Sequence, residues 1–329
     1  MSGYIVRRII SMVLMLLLLT LVVFLLFSVL PTDPARLTCG KACTPEVIAA
    51  NRHNLGLDLP LLQQYWEFLK GLVVGRTYGS GTQTYSCDAP CLGYSFKRGE
   101  EVSVLIKQGF PATFWLATGA FVLWIGVGVS VGIYAALRRG RWQDKTVMGI
   151  SLIGYSLPSF FIGLVLLYFV VLKWELLPYP SYVSPFENPL QFLQTMILPW
   201  IVLAILYAAF YMRLTRNQML DTLGEDYIRT ARSKGLPERT VVRKHGLRAG
   251  LTPIVTAAGL DLAGLLGGAI ITESIFSLPG IGSLAVNSVV DADLPLIVGI
   301  TLVTATFIIV ANLIVDLLYA VIDPRVRLV

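Results

Sequence analysis

The sequence predicts an all-α membrane protein with six transmembrane helices. The chain has 329 residues, of which 55% are hydrophobic and only 14% are charged, and its mean hydropathy is +0.72. Soluble domains carry about 25% charged residues, so this composition argues strongly against a water-soluble enzyme. Several long stretches are also free of charge, which favours counting membrane spans rather than globular cores.

Six apolar stretches each reach the roughly 20 residues that a bilayer requires. Two of them, 110–137 and 146–172, contain no Asp, Glu, Lys or Arg, which disfavours a buried helix of a soluble core. The N-terminal stretch, residues 4–30, is too long for a signal peptide and lacks a small-residue cleavage site, so we expect it to be retained as a transmembrane helix. The predicted spans are residues 4–30, 110–137, 146–172, 192–214, 251–272 and 294–322.

The distribution of Lys and Arg predicts cytoplasmic N- and C-termini. Arg7 and Arg8 anchor the first span, and the predicted cytoplasmic segments 138–145 and 213–248 carry four and nine basic residues. The short external segment 273–293 carries none. Cytoplasmic loops are enriched in Lys and Arg, so the net charge of +6 reports topology rather than affinity for nucleic acid.

The predicted organisation has three parts: a first transmembrane helix at 1–31, an extracytoplasmic region at 32–109 and a permease core at 110–329. Within the external region, we expect helices at 44–55 and 61–74, the first opening with a Thr-Pro start signal. The remainder, 75–99, is expected to be loop. Such a region has few apolar clusters and should pack on the membrane part.

All four cysteines lie in this external region, as Cys39 with Cys43 and Cys87 with Cys91. An oxidising compartment favours two disulfides, but four cysteines allow three pairings, and the spacing does not select one. A metal site is the weaker alternative, because the Cys-x3-Cys spacing matches no common zinc pattern. We therefore expect no metal.

The sequence shows no catalytic constellation. Its two histidines, His53 and His245, fall on opposite sides of the predicted membrane, and no nucleophile elbow or His-Glu-x-x-His motif is present. A P-loop is missing as well, so any energy from a nucleotide must come from a partner. The prediction is a transport subunit rather than an enzyme.

Two acidic residues, Asp261 and Asp316, lie inside predicted spans, where ionisable groups are costly and mark functional sites. One interpretation is that they couple transport to protons or sodium ions. The other is that Asp261 faces a water-filled cavity and Asp316 has a polar partner, with no role in coupling. The fifth span is also rich in small residues, which serve either close helix packing or a solute path. The candidates for a translocation path are Gly259, Asp261, Gly264, Gly267 and Gly268.

The most informative segment is the cytoplasmic loop 221–248. Residues 222–234 can form a short helix that ends at Gly235, a residue suited to the position after a helix. Pro237 suits the first turn of a second helix running to His245. Two short helices joined by a glycine turn, basic and with a few apolar residues, would form a compact surface for binding another protein. A solvated or lipid-binding basic loop is the alternative.

At this loop, the sequence resembles the membrane subunits of type I ABC importers, in the peptide and nickel permease branch. The resemblance continues through Arg7, Arg8 and Pro31 near the start and through Asp323-Pro324-Arg325 near the end. The Arg229-Thr230-Ala231 variant is typical of the peptide branch, whereas the cysteine-bearing insertion departs from the common pattern. The matching loop residues are Asp226, Tyr227, Arg229, Thr230, Ala231, Arg232, Lys234, Gly235, Leu236, His245, Leu247 and Arg248.

This resemblance implies an importer in the bacterial plasma membrane. The partners it implies are a second homologous permease, two ABC ATPase subunits or a fused one, and an external solute-binding protein, with ATP and Mg held by the ATPases and no cofactor on this chain. The loop would be the coupling helix. Arg229, Arg232 and Lys234 would supply charge complementarity and register, and the fit would be set by Tyr227, Ala231, Gly235 and Leu236. The expected cargo is a di- or oligopeptide; nickel or another small solute, an ion-coupled secondary transporter and an intramembrane enzyme are the alternatives.

Overall fold

The computed structural model describes residues 2–29, 34–37, 44–54, 56–78 and 84–322, and these are mostly helical. Among them, four helices are long and apolar enough to cross a membrane, and two bent helix pairs raise the number to as many as six. The all-α membrane class is therefore confirmed. The four long helices are α1 (Ser2–Val29), α5 (Val102–Leu137), α8 (Pro189–Gly224) and α15 (Leu294–Ile322).

The first bent pair corrects the prediction of a continuous helix over 146–172. Its two arms meet at an angle of 93°. The break lies at Pro158, which has no amide hydrogen to donate and holds Leu157 in an extended conformation with ψ 130°. The arms are α6 (Trp142–Ser156) and α7 (Ser159–Leu166), the latter continued by a π-helical segment, Leu167–Lys173.

The second bent pair turns by 46° and contains the fifth predicted span. That span ends earlier than predicted, because Gly267 and Gly268 follow the helix and Gly268 adopts a φ of +123°. Residues up to Thr272 therefore do not continue the same helix. The elements are α10 (Glu238–Thr240), a π-helical segment (Val241–Gly246), α11 (Leu247–Gly250), α12 (Thr252–Leu266) and α13 (Ile270–Ile275).

The chain divides into two compact units. The first comprises Met1–Thr113, Leu266–Ile270 and Pro279–Val310. The second comprises Phe114–Leu265, Ile271–Leu278 and Ala311–Val329.

In the first unit, the predicted external helices are confirmed, whereas the prediction of a loop over 75–99 is wrong. That segment contains three of the four strands of two antiparallel two-stranded hairpins, and the fourth strand lies just beyond it at Glu100–Glu101. Thr44 caps the first of the predicted helices, with its side-chain oxygen 3.4 Å from the Val47 amide. The elements are α2 (Pro34–Leu37), α3 (Pro45–Asn54), α4 (Leu61–Val74), β1 (Arg76–Tyr78), β2 (Tyr85–Cys87), β3 (Tyr94–Ser95) and β4 (Glu100–Glu101).

Aromatic contacts and a disulfide account for these hairpins. The rings of Tyr85 and Tyr94 lie 4.8 Å apart, and Phe96 packs edge-on against Tyr94 at 5.1 Å. Cys87 is bonded to Cys91. The ring contacts, which join β2 of one hairpin to β3 of the other, and the covalent link stabilise strands too short for a hydropathy pattern to reveal.

The core of the first unit joins the start of α5 to α14 (Ile281–Val290) and α15. Val102, Ile281 and Leu296 are fully buried there. A buried hydrogen bond from the Ser95 hydroxyl to the Asp293 carboxylate ties β3 to the segment that precedes α15. The hairpins are therefore anchored on the apolar core, as predicted for a region too small to fold alone.

The second unit depends on close packing of α5 against α8. A Cβ atom at Gly132 would lie 2.7 Å from the Met212 carbonyl oxygen, and one at Gly128 would lie 2.7 Å from the Tyr211 Cβ. Glycine permits this approach because it has no side chain. The indole of Trp200 on α8 also donates a hydrogen bond to the Trp115 carbonyl of α5 at 2.9 Å.

Candidate functional site

The segment that follows α8 begins with an extended residue rather than a further helical turn. The helix α8 continues to Gly224, Glu225 is extended with ψ 149°, and α9 (Asp226–Ser233) follows. The single helix predicted for 222–234 is therefore two helices. The extended residue breaks the helical path and allows α9 to take a separate direction from α8.

A small apolar core holds the segment after α8 together. Ile228 and Val241 are completely buried, Ala231 is nearly so, and Leu223 at the end of α8 packs against them. Ala231, which the resemblance assigned to the ATPase contact, thus faces the interior of the segment. We call residues 225–246 the knob, because this core gives it a fixed shape.

The remaining sequence candidates lie at the surface of the knob or on α11, apart from His245, which is half-buried in the π-helical segment. Two apolar groups are among the exposed residues, with 46% of Tyr227 and 38% of Leu236 accessible. The exposed candidates are Asp226, Tyr227, Arg229, Thr230, Arg232, Lys234, Gly235, Leu236 and Arg248. The knob therefore offers a mixed polar and apolar surface.

An ion pair closes the elbow of the knob. Gly235 has a φ of +76°, and across this turn the Arg232 guanidinium donates to both carboxylate oxygens of Glu238, at 2.7 and 3.1 Å. Hydrogen bonding to the Glu238 carboxylate raises the pKa of Arg232. Sequence reasoning missed Glu238, because a separation of six residues across a glycine turn corresponds to no helical spacing.

A second feature lies in the membrane part of the second unit. The Tyr211 hydroxyl donates a 2.6 Å hydrogen bond to Asp261 on α12. Asp261 is half-buried and lines a cavity of about 550 Å³ at the break between α6 and α7. The other lining residues are Tyr155, Ser156, Leu157, Pro158, Ser159, Leu206, Tyr207 and Phe210.

The glycine candidates differ in their surroundings. Gly264 has open space where a side chain would extend, whereas a Cβ at Gly259 would lie 2.7 Å from Val315. A Cβ at Gly267 would overlap Thr304, and one at Gly268 would lie 2.6 Å from the Gly282 amide nitrogen. Three of the four glycines thus permit close packing.

Some predicted residues fall outside the described parts of the chain. Cys39 and Cys43 do so entirely, and so does the side chain of Asp316, whose backbone belongs to α15. Among the described residues, a disulfide joins Cys87 to Cys91. No group of three or more candidate metal ligands occurs among the described residues.

Comparison with known families identifies the chain. A model described as the binding-protein-dependent transport system inner membrane component matches residues 128–328, and the N-terminal model of the same membrane component matches residues 1–117. The chain belongs to this family of inner membrane transport components. It is therefore a non-catalytic, multi-pass component of a transport system.

Individual relatives cover this transport component from end to end. It is 37% identical over 329 residues to a Brucella abortus protein named as a peptide transport system permease, spanning 99% of each chain. It is 38% identical to the dipeptide transport system permease protein DppB of Escherichia coli, spanning 94% of each chain. These matches confirm the family resemblance drawn from the loop motif.

The fold has a counterpart among solved structures. A chain of the MetNI methionine ABC transporter in an inward-facing conformation aligns with a TM-score of 0.51 and 18% identity. The alignment covers 67% of this transport component and 97% of the MetNI chain. At this identity, the likeness shows a shared fold and nothing further.

Proposed function

We propose that the chain is the permease subunit of an ATP-driven importer of di- or oligopeptides. Full-length relatives named for peptide and dipeptide transport support the cargo class. The likeness of the motif over residues 226–248 to the membrane subunits of type I ABC importers supports the ATP-driven mechanism. The chain itself forms part of the solute pathway and leaves nucleotide chemistry to its partners.

The knob is the observation that carries this proposal. Its buried core of Ile228, Ala231 and Val241 makes it a rigid body, and the same core attaches it to Leu223 of α8. Because the knob is packed against α8, a movement of the knob would move α8 with it instead of deforming the knob. Closure of an ATPase pair would then move α8 and switch the pathway between two states.

Exposed groups on the knob supply the surface for an ATPase subunit. Arg229 and Lys234 provide positive charge, and the exposed faces of Tyr227 and Leu236 provide apolar contact. Charged groups at such a surface set the register of the contact, and a central aromatic residue supplies binding energy. We also assign to this contact Arg248, which is exposed on α11, and the half-buried His245.

The assembly that we infer contains a second homologous permease, two ABC ATPase subunits or one fused chain, and an external solute-binding protein. ATP and Mg would be bound by the ATPases. Within this chain, we propose six spans with both termini in the cytoplasm, an external region over 32–109 and a permease core over 110–329. The pathway would pass the α12 residues Gly259, Asp261 and Gly264, with Gly267 and Gly268 at its end.

The turn at Gly235 provides the sharpest test. Val is strongly disfavoured at a φ of +76°, so Gly235→Val should distort the elbow while leaving the spans intact. In proteoliposomes containing the complete transporter, we expect ATP hydrolysis to continue while peptide uptake falls by about tenfold or more. Gly126→Val on α5, where nothing lies within 4 Å of a Cβ, is the matched control. Normal uptake by a folded Gly235→Val transporter would refute the coupling role.

A further inference from the structure

The carboxylate of Asp261 lines the cavity, and no cationic side chain of the described residues is paired with it. Tyr211 is the hydrogen-bond partner of Asp261 among the described residues, and no Lys, Arg or His of that part of the chain forms an ion pair with it. Arg213 lies over the ring of Tyr155, 4.8 Å from its centre, and makes no such pair. A charged side chain within a membrane span is costly unless a partner or water compensates it.

The backbone around the cavity indicates that it is wet. Leu157 and Pro158 lie between the two arms of the bent pair and both line the cavity. Irregular backbone at membrane depth is tolerated only where protein buries it or where it lines a water-filled cavity. The polar residues Ser156 and Ser159 also line this space. The cavity can therefore admit a polar solute.

The aromatic lining determines which kind of cation fits. Tyr155, Tyr207 and Phe210 surround the same space as the carboxylate. Aromatic faces attract ammonium groups, whereas a hard metal cation needs about six oxygen ligands and finds one carboxylate here. The volume of about 550 Å³ falls within the range of small-molecule sites.

We propose that this cavity is a binding station for the ammonium group of the cargo, with Asp261 as its counter-ion. The inference rests on the proposed function, since peptides supply the ammonium group. Tyr211 acts as a positioning residue: it is fully buried, and its hydroxyl fixes one oxygen of Asp261 and leaves the other available. The station lies within the second unit and involves no residue of the knob.

The test measures binding to the complete transporter in lipid nanodiscs without the solute-binding protein. The probes are radiolabelled tri-alanine and N-acetyl-tri-alanine, which differ in the terminal ammonium group. We expect wild-type transporter to bind tri-alanine about tenfold more tightly than the acetylated form, as for a charge-assisted hydrogen bond. Asp261→Asn should remove this difference, and Glu187→Gln, which neutralises an exposed carboxylate outside the cavity, should preserve it.

Several outcomes would overturn the proposal. Equal binding of the two probes by wild-type transporter would do so without reference to any variant, and so would an Asp261→Asn transporter that still prefers tri-alanine. Displacement of tri-alanine by Na⁺ but not by ethylammonium would identify an inorganic cation as the ligand and reject the ammonium station. Uptake of tri-alanine by wild-type proteoliposomes tests the peptide function separately, because it does not depend on the preference for the free amine.

Discussion

The Arg216 guanidinium donates hydrogen bonds to both carboxylate oxygens of Asp144, at 2.8 and 2.9 Å, although the two residues are 72 positions apart in the sequence. Asp144 is buried at the start of α6, where it also accepts a hydrogen bond from the Gly140 amide. Arg216 lies on α8, one turn before the buried Met219 and two turns before the knob. The pair fixes the loop between α5 and α6 to the helix that carries the knob.

Breaking this pair should destabilise the protein. Asp144→Asn leaves the Arg216 charge without its partner in a largely buried site, for which we expect a loss of about 3 kcal/mol. The midpoint of thermal unfolding in detergent measures it. Asp226→Asn is the matched control, because the Asp226 to Arg229 pair is exposed and should change the midpoint little. Equal midpoints for the two variants would show that the buried pair has no stabilising role.

Close packing of α5 on α8 predicts a contrast between two glycines of one helix. Gly132→Ala places a methyl group against the Met212 carbonyl and should cost about 1–3 kcal/mol through overpacking. Gly126→Ala has open space and should be neutral or slightly stabilising, because Ala favours helix. Recovery of monodisperse protein after heating ranks the variants. A tolerant Gly132→Ala would mean that the two helices can separate without loss.

The ion pair between Arg232 and Glu238 can be tested by exchanging the two charges. Arg232→Glu puts two carboxylates at the elbow and should reduce ATP-dependent uptake by about tenfold, with little change in global stability because the pair is exposed. The double variant Arg232→Glu/Glu238→Arg restores the pair and should recover most of the uptake. Uptake that stays low in the double variant, with normal expression, would instead assign Arg232 to a contact with the ATPase.

The disulfide predicts the accessibility of the external thiols. In denatured protein, where the two buried sulfurs become accessible, Cys87 and Cys91 should react with a maleimide only after reduction, whereas Cys91 of Cys87→Ser should react without it. Loss of a link that closes so small a loop should cost about 2 kcal/mol. Mass spectrometry of intact and reduced protein also tests the sequence prediction that Cys39 and Cys43 are protected. Labelling of all four thiols in denatured, unreduced protein would contradict both expectations.

The sequence by itself determined the membrane class, most helix positions and the family, because these depend on local composition and on linear motifs. Apolar runs identified α1 and α15, and the Thr-Pro signal located α3. The pattern around Gly235 predicted a turn in the loop 221–248, and the structure has that turn at this glycine, with a φ of +76°. Each of these signals lies within a few turns of one helix.

The tertiary structure decided which side chains meet across the chain. Asp144 pairs with Arg216, and Tyr211 pairs with Asp261. Each pair joins helices that are distant in sequence, so no regular spacing in the sequence predicts it. The burial of Ala231 likewise depends on Val241, beyond the turn. The position of a residue in the motif predicted that it belongs to the knob, but only packing determined whether its side chain is buried or exposed.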